Sequence, residues 1–392
     1  MLDQPSAPVS NDIPDSVRRF CAIAVPYAAD EKYDGLFVEA MRDITALHME
    51  RSPWYRRFAE QAGMKPERIR TMADVLALPP VHANFFKYHE IRSIHESQVK
   101  THLTSSGTTG QKSQVFFDGF TLEWARVMAK HEMVWRGVLD DRPANYLLNF
   151  YEPYAGLKVG TSNTMAYLMS YAPAAEQFWT LRYQGDGRHE FDPFGADACL
   201  ERWAQGSAPV RILGFPYYLY FLLERRRARG QADLKLPPGS LLILGGGWKG
   251  YADKSIAKDD FFAQIERQLG IDPERIIEIF GSVEHSVPYT NCPRHHLHQP
   301  TWSRVVIRDL KTLAPVPDGT PGFLSFLSPY IPATPAHSVV MGDLAVRHPA
   351  GSCPLDTYPT PWFEILGRAG TSANRSCAAA AAELLKTHCS TW

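Results

Sequence analysis

Residues 104–113 read TSSGTTGQKS, and this stretch decides more about the fold than any other part of the 392-residue chain. It consists mainly of glycine, serine and threonine, so its backbone N–H groups are open and its hydroxyls are small. Such a loop can wrap a polyphosphate, because amides and hydroxyls donate to phosphate oxygens without obstruction. The alternative is a solvated turn, which clusters of these residues commonly form.

The spacing of the loop excludes the most familiar phosphate motif. A Walker A loop needs two glycines five apart, with lysine directly after the second. Here Gly107 and Gly110 are only three apart, and Gln111 stands before Lys112. The residue types therefore favour phosphate binding by another kind of loop. The rest of the sequence is needed to identify which kind it is.

Composition restricts the class of protein. Lysine and arginine number 41 against 42 aspartates and glutamates, and no basic tract indicates a nucleic-acid partner. No apolar run approaches the roughly 20 residues that span a bilayer. The polar N-terminus lacks the apolar segment of a secretory signal, and six scattered cysteines do not form a disulfide framework. We expect a cytoplasmic enzyme with reduced thiols.

Short apolar runs alternate with helical patterns through the middle of the chain, which predicts strands buried on both faces of a largely parallel α/β sheet. The strand candidates are 146–150, 210–214, 241–244 and 276–280, with helices over 122–138 and 217–227. After residue 300 the runs lie closer together between Pro and Gly turns, which predicts an antiparallel β section. Its strand candidates are 304–308, 322–327 and 338–341.

The order of residues in the loop resembles the phosphate loop of the adenylate-forming ligases, which include acyl-CoA synthetases and luciferase-type enzymes. The resemblance implies the fold of their large α/β N-terminal domain, ATP binding, and conversion of a carboxylic acid to an acyl-adenylate. It assigns nucleotide binding to Thr104, Ser105, Ser106, Gly107, Thr108, Thr109 and Gly110.

Four further stretches resemble the same superfamily in the same chain order. Gly245-Gly246-Gly247 matches its adenine-side glycine strand, and Phe280-Gly281-Ser282-Val283-Glu284 matches its aromatic-G-x-T-E element, with Val283 where threonine is usual. Gly342-Asp343 matches the element that binds the ribose hydroxyls, and Gly367-Arg368 matches the hinge-side G-R pair. The resemblance implies that Glu284 holds the Mg²⁺ bridging the ATP phosphates.

Adenylation explains why such residues are needed. A carboxylate attacks the α-phosphorus, so two anions meet and donors with Mg²⁺ have to screen them. One carboxylate holds the metal and another fixes the ribose, which positions the reactants. Glu284 and Asp343 are the candidates for these roles, although each alone could be an ordinary surface acid.

One subfamily resembles the chain from about residue 80 to its end: the acyl-protein synthetases of bacterial luminescence fatty acid reductases. The similarity includes Phe86-Lys87, Gly247-Trp248-Lys249, the run 282–286 with Cys292 and His298, the run 304–309 with Thr312, and the ending 366–369 and 375–377. In that family a cysteine attacks the acyl-adenylate and forms an acyl-thioester, which an NADPH-dependent partner reductase consumes. Cys377 is the matching position, with Ser376 where glycine is usual; without the resemblance it could be a buried small residue.

The expected organisation is a flexible lead at 1–15, an adenylating domain at 16–366 and a much reduced C-terminal segment at 367–392 that carries Cys377. Such a short end favours a thiol from the chain itself over CoA, and Arg368, Arg375 and a helix N-terminus would favour its thiolate. The lysine that screens the α-phosphate is either Lys249 or Lys386. An acyl- or aryl-CoA ligase and a non-catalytic binding subunit with the same fold are the alternative functions.

A separate cluster offers metal ligands. Cys292 and His298 lie in the stretch 292–298, which also contains His295 and His296, and Cys353 follows later. Cysteine and histidine are zinc ligands, although the spacing lacks a standard pair. The alternative is a turn that lines the acyl or nucleotide site. The identity of the acid, the final acyl acceptor (a reductase or a carrier protein) and a homo-oligomeric state stay open.

Overall fold

The computed structural model describes residues 12–104, 114–154, 165, 167–247 and 256–369. Its contacts divide the chain into two units. The first contains Met1–Glu132, Gly281–Tyr289 and His296–Trp392, and the second contains Met133–Phe280 and Thr290–His295.

A mainly antiparallel sheet forms the core of the first unit. Its strands run in the order β11-β15-β14-β13-β12, and β1 pairs with β14 in parallel. The bounds are β1 Val81–His82, β11 Leu297–His298, β12 Arg304–Arg308, β13 Gly322–Leu327, β14 Ser338–His348 and β15 Trp362–Arg368. The long strand β14 pairs with β1 near its start and with β15 over its second half.

Helices and a hairpin complete the first unit. The hairpin joins β2 Thr101–Thr104 to β3 Gln114–Phe117, with Thr104 opposite Gln114. Two helix starts have side-chain caps: Ser52 accepts from Tyr55 N, and Thr71 forms a capping box with Asp74. The helices of this part are Asp15–Cys21, Asp34–Arg51, Pro53–Gln61, Met72–Leu76, Phe85–Tyr88 and Gly119–Trp135, the last three residues of which belong to the second unit.

A buried arginine ties β12 to the helical layer of the first unit. Arg308 is 1 % exposed, and its Nε donates to Ser325 Oγ at 2.9 Å. Its two terminal nitrogens donate to the carbonyls of Leu313, Leu76 and Leu78 at 3.1–3.2 Å. Burial nevertheless lowers the pKa of Arg308 to about 10. The guanidinium is tolerated in the core because these acceptors replace its water.

The second unit is built on a parallel sheet. Its strands run in the order β9-β8-β7-β4-β5, with β6 added antiparallel at one end and Thr290 of the two-residue strand β10 (Tyr289–Thr290) at the other. The bounds are β4 Ala144–Tyr151, β5 Ala174–Tyr183, β6 His189–Phe191, β7 Val210–Gly214, β8 Leu241–Gly245 and β9 Ile276–Phe280. Leu147, Ile212 and Leu242 are fully buried, as expected for central parallel strands.

Helices Pro193–Ala204, Pro216–Ala228 and Lys258–Leu269 belong to the second unit. Asp192 caps the first of them by accepting from Gly195 N at 2.8 Å. The first two are linked by Asp197, which pairs with Arg226 and, at 3.1 Å, with Arg225. Among the described residues, no helix is both long enough and apolar enough to span a bilayer.

The mixed architecture confirms the predicted α/β fold with a parallel sheet and a separate antiparallel β section. All seven predicted strand runs are strands. The helix predicted over 122–138 is instead Gly119–Trp135.

Candidate active site

Asp343 and Arg368 lie opposite each other on β14 and β15 of the first unit. Arg368 Nε is 3.6 Å from Asp343 Oδ1, and the aspartate side chain is only 15 % exposed. The register of the two strands shifts between Leu344 and Ala345, directly after this pair. The resemblance had matched both residues to nucleotide-binding elements, and the sheet brings them together.

Two further charged groups influence this aspartate. Burial raises the pKa of Asp343 above its ordinary value, and the charge of Glu284 raises it further, whereas Arg368 and Lys87 lower it. Lys87 reaches this region because β1 runs beside β14, with Ala83 N donating to Val340 O at 2.9 Å, and leads directly into the helix Phe85–Tyr88. The first unit therefore gathers two carboxylates and two cations in one place.

The turn that carries Glu284 is held by its neighbour. His285 is 1 % exposed, its ring is stacked on Phe326 at 4.5 Å, and its Nε2 lies 2.8 Å from Tyr289 Oη and 3.1 Å from Ser303 Oγ. Burial lowers the pKa of His285 to about 3, so the ring is neutral near neutral pH. These contacts fix the backbone beside Glu284, whose carboxylate is 5 % exposed.

Ser282 connects the same turn to β14. Its Oγ lies 4.0 Å from Met341 Sδ, two residues before Asp343. Val283 is partly buried. The buried carboxylate of Glu284 suits a hard cation such as Mg²⁺, because that ion prefers oxygen ligands. The donor set therefore fits the expected metal.

The second unit places two other candidate elements on neighbouring strands. Gly245 ends β8 opposite Ile279 of β9, so Phe280 lies one residue beyond that pair. Gly246 and Gly247 follow with φ of 78° and 58°, a conformation that glycine adopts without strain. The glycine turn and the aromatic residue thus lie at the same carboxyl edge of a parallel sheet, where ligands of open α/β sheets bind.

Several predicted site residues fall outside the described residues. These are Ser105, Ser106, Gly107, Thr108, Thr109 and Gly110 of the loop, together with Lys249, Lys386 and Cys377. Their roles stay predictions. Thr104 is described at the end of β2.

The three predicted zinc ligands are divided between the two units. His298 and Cys353 lie in the first unit, with ligand atoms within 4.8 Å of each other and of His296, a residue that the prediction did not select. Cys292 belongs to the second unit, where its sulfur accepts from Arg294 N at 3.3 Å. Lys87 was not predicted as a residue of the nucleotide site, although Phe86-Lys87 was part of the resemblance.

Solved structures with the same fold include 2-hydroxyisobutyryl-CoA ligase. Its open conformation in complex with 2-HIB-AMP and CoA has a TM-score of 0.60 and 16 % identity, covering 95 % of this chain and 83 % of that chain. Its postadenylation state in complex with R3-HIB-AMP has a TM-score of 0.62 at 16 % identity, and the match covers 93 % of this chain and 74 % of that chain. The chain therefore has the fold of the adenylate-forming ligases.

Two curated relatives carry the name long-chain-fatty-acid–luciferin-component ligase. The protein of Vibrio harveyi is 25 % identical over 337 residues, which is 84 % of this chain and 83 % of the relative. The protein of Aliivibrio fischeri is 24 % identical over 352 residues, or 88 % of each. The model of the family described as acyl-protein synthetase, LuxE, matches residues 9–386. The chain thus belongs to the LuxE acyl-protein synthetase family and is an ATP-dependent ligase that activates an acid.

Proposed function

We propose that the protein activates a long-chain fatty acid with ATP and Mg²⁺ and then transfers the acyl group to its own Cys377. The names of the two curated relatives support a fatty acid as the substrate. The observation that carries the site assignment is the gathering of Asp343, Glu284, Arg368 and Lys87 in the first unit.

Each of these four residues has a role in the first half-reaction. Ionised Asp343 accepts hydrogen bonds from the ribose hydroxyls, and Arg368 keeps that carboxylate charged. Glu284 would hold Mg²⁺, which when bound neutralises phosphate charge. Lys87 adds a second cation near Asp343, and it joins Lys249 and Lys386 as a candidate to screen the phosphate charge. An oxygen of the fatty carboxylate attacks the α-phosphorus, the acyl-adenylate forms, and pyrophosphate leaves.

For the second half-reaction we propose Cys377 as the nucleophile. The family match extends to residue 386 and therefore includes this cysteine. Its thiolate attacks the acyl carbon, a thioester forms, and AMP leaves with the electron pair of the broken C–O bond. A partner, such as an NADPH-dependent reductase, would then take the acyl group from the thioester.

Pyrophosphate exchange tests the first half-reaction without the second. The protein with ATP, Mg²⁺ and labelled pyrophosphate should incorporate label into ATP only when a fatty acid is present. Acids of two to sixteen carbons and benzoate should be compared at equal concentration, and the long chains should be the best substrates. Exchange with benzoate alone would replace the fatty acid by an aryl acid, and no exchange with any acid would contradict the proposed activation step.

A further inference from the structure

We infer that the first unit contains a structural zinc site formed by His296, His298 and Cys353. This site is distinct from the acid-activating residues, and no part of the proposed reaction uses it. The ligand atoms of the three side chains lie within 4.8 Å of one another. Tetrahedral zinc with sulfur and nitrogen ligands separates neighbouring ligand atoms by about 3.3–3.8 Å, so a shift of about 1 Å closes the site.

His298 is already oriented as a metal ligand. Its side chain is fully buried, and its Nδ1 donates to the carbonyl of Thr360 at 3.0 Å. That bond fixes the tautomer in which Nε2 carries the lone pair, as is usual for metal-bound histidines. Nε2 is buried and has no hydrogen-bond partner among the described residues. A buried polar atom without a partner is costly, and a bound metal ion would remove that cost.

The surrounding side chains hold the other ligands in place. The ring of His296 stacks on Trp362 at 3.8 Å, and the indole Nε1 of Trp362 donates to Ser352 Oγ at 2.7 Å. Ser352 precedes Cys353, so the same contacts fix both the histidine and the cysteine. Tyr358 packs at 5.0 Å from the ring of His298 and shields it.

The location of the ligands suggests what the metal does. His296 and His298 are at β11, and Cys353 lies in loop 349–361, which connects β14 to β15. A metal bound to all three would fasten that loop to the edge of the sheet. Because the three ligands come together only in the folded state, the free energy of metal binding contributes to folding.

The chemistry of the three ligands indicates the metal. One sulfur and two imidazole ligands favour zinc over the oxygen-preferring ions.

Metal analysis of the full-length protein tests this inference. Protein purified without chelator should contain about one zinc ion per chain. Cys353→Ser and His298→Gln should each bind zinc at least about tenfold more weakly. Cys199→Ser, which changes a buried cysteine of the second unit, should leave the zinc content unchanged. Zinc absent from the wild-type protein even after incubation with zinc salt, or retained equally by both ligand variants, would overturn the site.

A spectroscopic measurement decides the matter if the ligand variants fail to fold. Wild-type protein exchanged with Co²⁺ should show thiolate-to-cobalt absorption in the near ultraviolet and the visible bands of a tetrahedral site. Chelation of the zinc should lower the Tm, and zinc should restore it. An octahedral cobalt spectrum without thiolate absorption would contradict the inference independently of any variant and of the ligase activity.

Discussion

Asp343 and Arg368 face each other across β14 and β15, with Arg368 Nε 3.6 Å from Asp343 Oδ1. They lie 25 positions apart in the sequence (368 − 343), so only the pairing of the strands brings them together. The arginine opposes the effect of burial on the aspartate, because it lowers a pKa that burial raises. The pair is thus arranged to keep a buried carboxylate ionised where a nucleotide is proposed to bind.

Replacement of Asp343 by asparagine should weaken ATP use. A hydrogen bond to a charged group is worth about 1.5–3 kcal/mol, so kcat/KM for ATP should fall about 10- to 100-fold. The matched control is Asp318→Asn, because Asp318 also pairs with an arginine, Arg347, in the first unit. Steady-state kinetics should show a loss in the first variant and little change in the second; equal losses would remove Asp343 from the nucleotide site.

The same substitution should increase stability at neutral pH. Because the folded-state pKa of Asp343 is raised, its contribution to stability is present below the ordinary carboxyl range and is lost as pH rises through the raised pKa. Asparagine carries no charge and avoids that loss. Urea unfolding at about pH 7 should therefore give a higher midpoint for Asp343→Asn than for the wild type. A lower midpoint would show that the ionised carboxylate is not strained by its burial.

Removal of the arginine should change the pH dependence of catalysis. Arg368 lowers the pKa of Asp343, so Arg368→Gln should let that pKa rise further. The acidic limb of the pH profile of kcat/KM for ATP should then move to higher pH. Arg347→Gln provides the control, and an acidic limb that stays in place in Arg368→Gln would contradict the coupling of the two residues.

The proposed magnesium ligand gives a prediction on metal dependence. Glu284→Gln keeps the size of the side chain and removes its charge, so the Mg²⁺ concentration for half-maximal activity should rise about tenfold or more. Glu364→Gln, at an exposed position of β15, is the control. Unchanged Mg²⁺ dependence in Glu284→Gln would assign the metal to other ligands.

Two buried histidines predict loss of stability in acid. Burial lowers the pKa of both His285 and His337 to about 3 from an ordinary value of 6.5. Between about pH 3 and pH 6.5 the unfolded state therefore binds more protons than the folded state. The stability that is present above pH 6.5 is lost as the pH falls through this range. Each histidine contributes about 1.4 kcal/mol per pH unit in that window.

His337 offers a way to measure this effect. Its Nε2 is hydrogen-bonded to Tyr55 Oη at 3.0 Å and to Thr45 Oγ1 at 3.2 Å. The side-chain amide of a glutamine can partly replace these hydrogen bonds. His337→Gln should have a smaller difference in unfolding free energy between about pH 7 and pH 5.5 than the wild type. If the pH dependence is the same in both proteins, His337 does not titrate on unfolding as expected.

Much of the fold could be predicted because many strands are buried along their whole length. Strands β7, β12 and β13 have the predicted bounds, and every residue in them is buried. Strand β5 was missed because its first four residues are exposed and include Glu176 and Gln177, so neither an apolar run nor strict alternation marks it. The second half of β14 and the whole of β15 were missed for a similar reason, because polar residues interrupt both.

The candidate site was only partly predictable for a physical reason. Motif order identified Glu284, Asp343 and Arg368, but the position of Lys87 depends on the parallel pairing of β1 with β14, which no local pattern encodes. His296 was passed over because its proximity to Cys353 depends on the conformation of loop 349–361. Long-range pairings of this kind require the folded chain.

The measurement that tests the central claim most directly is the intact mass of the protein after incubation with ATP, Mg²⁺ and a long-chain fatty acid. The account predicts a mass increase of one acyl group, its removal by neutral hydroxylamine, and its absence in Cys377→Ser, with pyrophosphate exchange retained in that variant. An acyl adduct that persists in Cys377→Ser, or CoA consumption without any adduct on the wild-type protein, would contradict it.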